Sequence, residues 1–288
     1  MSIRSILVPL DGADASNKSL ALGFAVAKKF NCHLSALHVR PDAKDTVPLL
    51  GEGMSVAMIE DMMEIAGNEA TSRAGRAREI FEAAASKHVA PVDVQPSAGG
   101  FSAAFLLETT GREDDAVAAF GRMSDLTVVA RPTETSDVSA NLTFNAALFE
   151  TGRPVLLAPP EAVEAKFRHV MISWNNSAQA ARAVAAGMQI LKAAKKVSVC
   201  VVESARVSGG CGPELTTYLA RHGVEAEVRT LSGSRTSVGP LLMQQIADGD
   251  VDLLVMGAYT HSRMRQLIFG GVTRHVLGTA ALPVFMIH

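Results

Sequence analysis

The chain has 288 residues, too many for one domain of ordinary size and suited to two. Hydrophobic residues make up 48% and charged residues 19%, so the chain buries a core rather than remaining disordered. A formal net charge of −2 gives no field that would recruit nucleic acid or an anionic membrane, and no uncharged apolar run reaches the roughly 18 residues of a membrane-spanning helix.

The three cysteines, Cys32, Cys200 and Cys211, are odd in number and irregular in spacing, which argues against a disulfide framework. No C-x-x-C pair suggests zinc, and the eight histidines show no metal-ligand spacing, so no metal site is expected. The first residues, MSIRSILVPLD, run straight into a strand-like segment without a secretion signal. A soluble, reduced, cytoplasmic protein is expected.

In chain order, short apolar runs alternate with helical patterns, and the series occurs twice. The run ILVPLDGADASNKSLA from position 6 resembles VMISWNNSAQAARAVA from position 170. CHLSALHV from 32 resembles KVSVCVV from 196, and DLTVVA from 125 resembles DLLVMG from 252. GRPVLLAP from 152 resembles ALPVFMIH from 281. Landmarks in one order mark an internal duplication. Strands are predicted over 5–10, 33–39, 92–97, 126–130 and 154–158, then over 169–173, 197–202, 225–231, 253–257 and 283–287. Helices such as 178–194 and 240–247 lie between them. Unbroken apolar strands fit a parallel sheet covered on both faces, and strand–helix–strand units impose right-handed crossovers. Two α/β domains follow, 1–160 and 161–288, joined near 159–166. The final strands, 154–158 and 283–287, are expected to lie together, because a flat apolar edge left open invites aggregation.

The first half carries an extra stretch near 40–90 that contains MSVAMIEDMM. Met54, Met58, Ile59 and Met62 recur at helical spacing, which predicts a helix packing an apolar face on the core. A partner-binding surface is the alternative, since methionine adapts to varied shapes.

Ligands of open parallel sheets bind at the carboxyl ends of the strands. After the first strand, Gly12, Lys18 and Ser19 approach a phosphate-loop pattern, but Asn17 replaces its second glycine, so Asp14 or Ser16 is expected to cap the helix. Asp11, at the strand end, can accept from a ribose or an adenine amino group, or bond its own turn. In the second half the segment from Met256 and Gly257 through Tyr259, Thr260, His261, Arg263 and Arg265 reaches Gly270, Gly271, Val272 and Thr273 at a new helix. Free N–H groups there can bind an anion, glycines admit a phosphate closely, and basic side chains add charge. Cys200 is expected to be an inert buried thiol. Cys211, in a glycine-rich stretch, is expected to be exposed, with a redox-sensitive thiol as the sharper reading.

The duplicated α/β pattern and this segment resemble the universal stress protein family in its tandem form. Nucleotide-binding members carry G-x2-G-x9-G-[ST] after the fourth strand. Gly257, Thr260, Gly270 and Gly271 fall at those places, and Thr273 matches a further phosphate-contacting hydroxyl. In the first half, Ala130, Asn141 and Leu142 replace the motif, while Pro9-Leu10-Asp11 keeps the family's P-x-D; the second half has Ser173-Trp174-Asn175. The resemblance implies five-stranded, mostly parallel sheets in the order 3-2-1-4-5 with helices on both faces. It implies an adenine nucleotide, ATP before AMP or ADP and with magnesium left open, at Met256, Gly257, Tyr259, Thr260, His261, Arg263, Gly270–Thr273, Asn175 and Asp11. It also implies an intramolecular pseudo-dimer of the two domains, or a homodimer, in a stress-response protein with no catalytic residue assigned. A scaffold whose sites have decayed is the other reading.

Overall fold

The computed structural model describes residues 2–41, 55–92, 100–133, 138–161, 165–203, 210–233, 238–259 and 271–288. They form two compact units. The first comprises Arg4–Ala130 and Asp137–Thr151; the second comprises Gly152–His288 with Met1–Ile3 and Arg131–Ser136.

The first unit is built from β1 (Ser5–Pro9), α1 (Asp14–Phe30), β2 (His33–Arg40), α2 (Val56–His88), β3 (Ser102–Thr110), α3 (Glu113–Arg122), β4 (Leu126–Ala130) and α4 (Val138–Phe149). Its strands run in parallel in the order β3-β2-β1-β4. The second unit contains β5 (Val155–Ala158), β6 (His169–Ser173), α5 (Ala178–Ala186), α6 (Met188–Ala193), β7 (Lys196–Glu203), α7 (Cys211–Arg221), β8 (Glu227–Ser232), α8 (Val238–Asp248), β9 (Leu253–Gly257), α9 (Val272–Thr279) and β10 (Val284–Ile287). Its order is β5-β10-β9-β6-β7-β8. All neighbours are parallel except β5 and β10, which pair antiparallel through Val155–Met286, Leu156–Phe285 and Leu157–Val284. Strands β6 to β10 thus realise the order 3-2-1-4-5. The fifth strand of the first repeat, β5, belongs to the second compact unit and covers the edge of β10.

The strand cores are Ile, Leu and Val with helices on them, so Ile6, Val8, Leu34, Val199, Leu254 and Phe285 are fully buried. Gly23 lets α1 lie on β1 and β2, because an added Cβ would stand 2.9 Å from the Val8 side chain. The buried His169 is paired: its ring reaches the Gly249 carbonyl at 2.6 Å and the Ser198 hydroxyl at 2.9 Å. His33 and His169 open β2 and β6 and are buried, as is His38 within β2.

Several expectations are corrected. The described third strand is β3 (Ser102–Thr110), which had not been expected; of the run expected at 92–97, Val92 makes an isolated bridge to Ala103, and 93–97 lie outside the described residues. The helix predicted over 178–194 breaks at Gly187 into α5 and α6, where a Cβ would stand 3.0 Å from the Ala183 carbonyl oxygen. Neither Asp14 nor Ser16 caps α1, whose N-cap is Ala13. Of the methionine-rich face, Met58 is 53% exposed and Ile59 and Met62 are half-buried, while Met54 lies outside the described residues. No helix among the described residues is long and apolar enough to cross a membrane.

Candidate functional site

At the end of β6, the chain turns through Trp174, Asn175 and Asn176, which adopts a left-handed φ of 56°. The Asn175 Oδ1 atom accepts from the Ser177 hydroxyl at 2.7 Å and from its backbone N–H at 3.2 Å. Ser177 is the N-cap of α5 and accepts from Ala180 N–H at 3.1 Å. Asp11 acts alike at the end of β1: its Oδ1 accepts from Ala13 N–H at 2.9 Å and from the Ser16 hydroxyl at 2.6 Å. Both strand-end side chains therefore brace a turn into a helix, and an amide oxygen does this as well as a carboxylate.

Gly257 ends β9 against the first turn of α5. A Cβ there would stand 2.5 Å from the Ala180 nitrogen and 2.7 Å from the Gln179 carbonyl carbon, so only glycine lets that helix approach the strand. Met256 before it is buried and paired with Ser173 and Met286. Beyond it, Ala258 N–H donates to the Ile287 carbonyl at 2.8 Å, and Tyr259 takes a left-handed φ of 51°. Thr260, His261, Arg263 and Gly270 lie outside the described residues, as does Arg265.

The chain is next described at Gly271, the N-cap of α9, with extended dihedrals of −87° and 165° and no side-chain cap. Among the described residues, nothing stands within 4 Å of where its Cβ would be. Val272 and Thr273 follow in the first turn, whose backbone N–H groups have no intrahelical acceptor. Thr273 is buried, and its Oγ1 accepts from Tyr259 N–H at 3.2 Å. The start of α9 and the end of β9 are thereby held together. Sequence patterns missed both this link and the Ser177 cap; the Asn-Asn-Ser run at 175–177 was the signal for the latter. Such a helix start, with partial positive charge and open space above a glycine, can receive an oxyanion.

The matching place in the first unit differs. Asn141 and Leu142 lie within α4 (Val138–Phe149), not at its start, and Leu142 is 42% exposed. Arg131, after β4, donates from its guanidinium to the Ala280 carbonyl. Gly12, at the β1 turn, has φ of 80°, and a Cβ would stand 2.7 Å from the Arg73 carbonyl oxygen of α2.

Cys211 is buried at the start of α7 rather than exposed in a loop. Burial raises its pKa, and pushes Cys200 up to about 11 and Cys32 up to about 12. Thiols held protonated in this way are poor nucleophiles, so the redox-sensitive reading of Cys211 is not supported.

Residues 166–288 match the family model described as the universal stress protein family. Universal stress protein Slr1230 from Synechocystis sp. is 36% identical over 66 residues, which cover 23% of this chain and 22% of that protein. The match thus spans less than a quarter of that relative's length. A crystal structure of a universal stress protein from Archaeoglobus fulgidus is similar over 99% of this chain and 96% of its own, with a TM-score of 0.68 and 16% identity. The cytoplasmic domain of a prokaryotic cation chloride cotransporter is similar over 98% of this chain and 94% of its own, with a TM-score of 0.53 and 9% identity. At these identities the likeness is one of fold, and one fold serves different tasks.

Proposed function

We propose, from the match of residues 166–288 to the universal stress protein family model, that the chain is a stress-response protein that binds an adenine nucleotide in the second unit as a regulatory ligand. ATP is the first candidate, ahead of ADP and AMP. The observation that carries this reading is the uncapped start of α9, where Gly271 leaves open space beside free N–H groups. A phosphate there meets the Val272 and Thr273 N–H groups. The Thr273 hydroxyl, already accepting from Tyr259, has its own proton to donate. His261, Arg263 and Gly270 complete the phosphate side in this proposal, with Gly257 and Asn175 toward the ribose.

A regulatory role is favoured over a catalytic one by Asn175. Phosphoryl transfer needs in-line positioning and charge neutralisation, usually with a held metal ion. Asn175 carries no charge, and its Oδ1 already accepts two hydrogen bonds from Ser177. Turnover far below the roughly 1–10³ s⁻¹ of ordinary enzymes is expected with ATP and magnesium. The scaffold reading suits the first unit better, since Leu142 lies within a helix and α2 lies against Gly12.

The test is mass spectrometry of small molecules released by denaturing the purified full chain, together with equilibrium binding of ATP. Recovered ATP, ADP or AMP, or saturable binding at one site per chain, supports the proposal. No released nucleotide and no binding at millimolar ATP would favour the scaffold reading.

A further inference from the structure

Arg131 follows β4 and matches Ala258, which follows β9 in the second repeat. The two backbones are held alike. Arg131 N–H donates to the Ala158 carbonyl at the end of β5 at 2.9 Å, as Ala258 N–H does to the Ile287 carbonyl at the end of β10 at 2.8 Å. The side chains differ in reach. Ala258 ends at Cβ, whereas the Arg131 guanidinium donates through Nη1 to the Ala280 carbonyl, within one compact unit. Burying an arginine costs free energy unless its charge and its donors are met. Arg131 is half-buried, burial lowers its pKa, and no carboxylate opposes that shift. Its Nε has no hydrogen-bond partner among the described residues. The Ala280 carbonyl is what this side chain serves.

Ala280 is the C-cap of α9 and is buried. The last carbonyls of a helix lack an intrahelical donor, and that end carries partial negative charge, so a cationic donor is well suited to it. The helix needs such a tie. Of its eight residues, Thr273 and Val276 alone are buried. It packs beside α8, where a Cβ on Gly239 would stand 2.7 Å from the His275 ring. A helix this short does not hold its form without tertiary contacts. Its first turn is joined to Tyr259 N–H through Thr273 Oγ1, and its far end to Arg131.

We propose that Arg131 is a positioning residue for the nucleotide site: by holding the C-terminal end of α9, it keeps the first turn of that helix formed before a phosphate arrives. The inference rests on the nucleotide reading above and adds how that site is kept ready. A helix already ordered need not be ordered on binding, so the affinity is higher by that amount. The hold runs one way, since Ala258 has no side chain of comparable reach. The first repeat, whose own motif is replaced at Ala130, Asn141 and Leu142, thus serves the site of the second through the residue after β4.

The test compares the full chain with Arg131→Gln and Arg131→Lys, by hydrogen exchange without nucleotide and by ATP calorimetry. In Arg131→Gln the hydrogen-bonded amides of α9 should exchange about tenfold faster, while those of β6, β7 and β9 exchange as in the parent. ATP should bind that variant about tenfold more weakly, and saturating ATP should restore the protection of α9. Arg131→Lys, which keeps the charge and a donor, should recover part of both losses. A merely structural role would speed exchange across the strands as much as in α9. That outcome, or variants whose α9 exchange and ATP affinity match the parent, would overturn the proposal. Absence of ATP binding by the parent would end the nucleotide reading and this role with it. Ordinary ATP binding with unchanged α9 exchange in both variants would overturn the role of Arg131 alone.

Discussion

Gly271 and Leu142 stand at matching places in the two repeats, but only Gly271 heads a helix. At Gly271 no described side chain caps the first turn of α9, and no described atom lies within 4 Å of where a Cβ would stand. At Leu142 the N–H groups belong to the body of α4. An anion site of this kind therefore depends on where a helix begins, not on the spacing of motif residues alone. The strand-end glycines differ in kind as well. Gly257 admits the first turn of α5, whereas Gly12 admits the backbone of α2, an element the second unit matches only with the shorter α7.

The largest expected effect tests that contrast. Gly12→Ala combines a left-handed φ with a 2.7 Å contact to a backbone oxygen, so a loss of about 3 kcal/mol in urea unfolding is expected. Gly257→Ala has the contact without the strained φ and should lose about 2 kcal/mol. A loss under about 1 kcal/mol for Gly12→Ala would mean that α2 does not lie on that turn in solution.

Gly271→Asp separates binding from folding. The substituted carboxylate meets open space and extended dihedrals, and aspartate is a good N-cap, so stability should rise by a few tenths of a kcal/mol. It would also occupy the anion position with like charge. ATP affinity measured by calorimetry should drop at least about a hundredfold, equivalent to about 2.7 kcal/mol. Unchanged affinity would remove the phosphate from α9.

A smaller effect distinguishes the two central strands. Thr127 of β4 pairs with Leu7 of β1, and in the second repeat Leu254 of β9 pairs with Met171 of β6. Thr127 is fully buried, and its hydroxyl has no hydrogen-bond partner among the described residues. Thr127→Val keeps the shape and removes the orphaned hydroxyl, so a gain of about 1 kcal/mol is expected in thermal or urea unfolding. A loss would show that the hydroxyl is satisfied in solution.

The smallest effect depends on pH and belongs to the first unit. His88 at the end of α2 stacks on Phe24 with ring centroids 5.2 Å apart. Burial, then Lys87 and Lys28, hold its pKa below the ordinary 6.5. The unfolded chain therefore takes up this proton first. The neutral form's contribution is present above about pH 6.5 and is lost as the pH falls through the lower folded value. His88→Gln should flatten the slope of unfolding free energy between about pH 7 and 5. An unchanged slope would assign it to another group.

Much of the fold was legible because the repeat fixed which apolar runs correspond and strand–helix–strand units imply parallel neighbours, while the strand order came from the family resemblance. Strand β3 was not: SAAFLLETT opens on small residues, while the run at 92–97 alternates polar and apolar residues and drew the expectation there. Cys211 was misplaced because neighbouring glycines read as a loop. Gly212 in fact lets α7 approach the sheet, since its Cβ would stand 2.7 Å from Val228. At the site, the glycine spacing pointed to the start of α9, but the tie from Tyr259 N–H to Thr273 could not be read. It requires a left-handed tyrosine, a conformation no residue pattern here announces.

The transfer of β5 bears on how this gene product can be divided. The repeat suggests a cut at 160/161, but a fragment starting there would lack Val155, Leu156 and Leu157 and leave the buried strand β10 with an open, apolar edge. A fragment starting at Gly152 keeps that edge closed. The repeated unit of sequence and the compact unit of the fold are therefore offset by one strand.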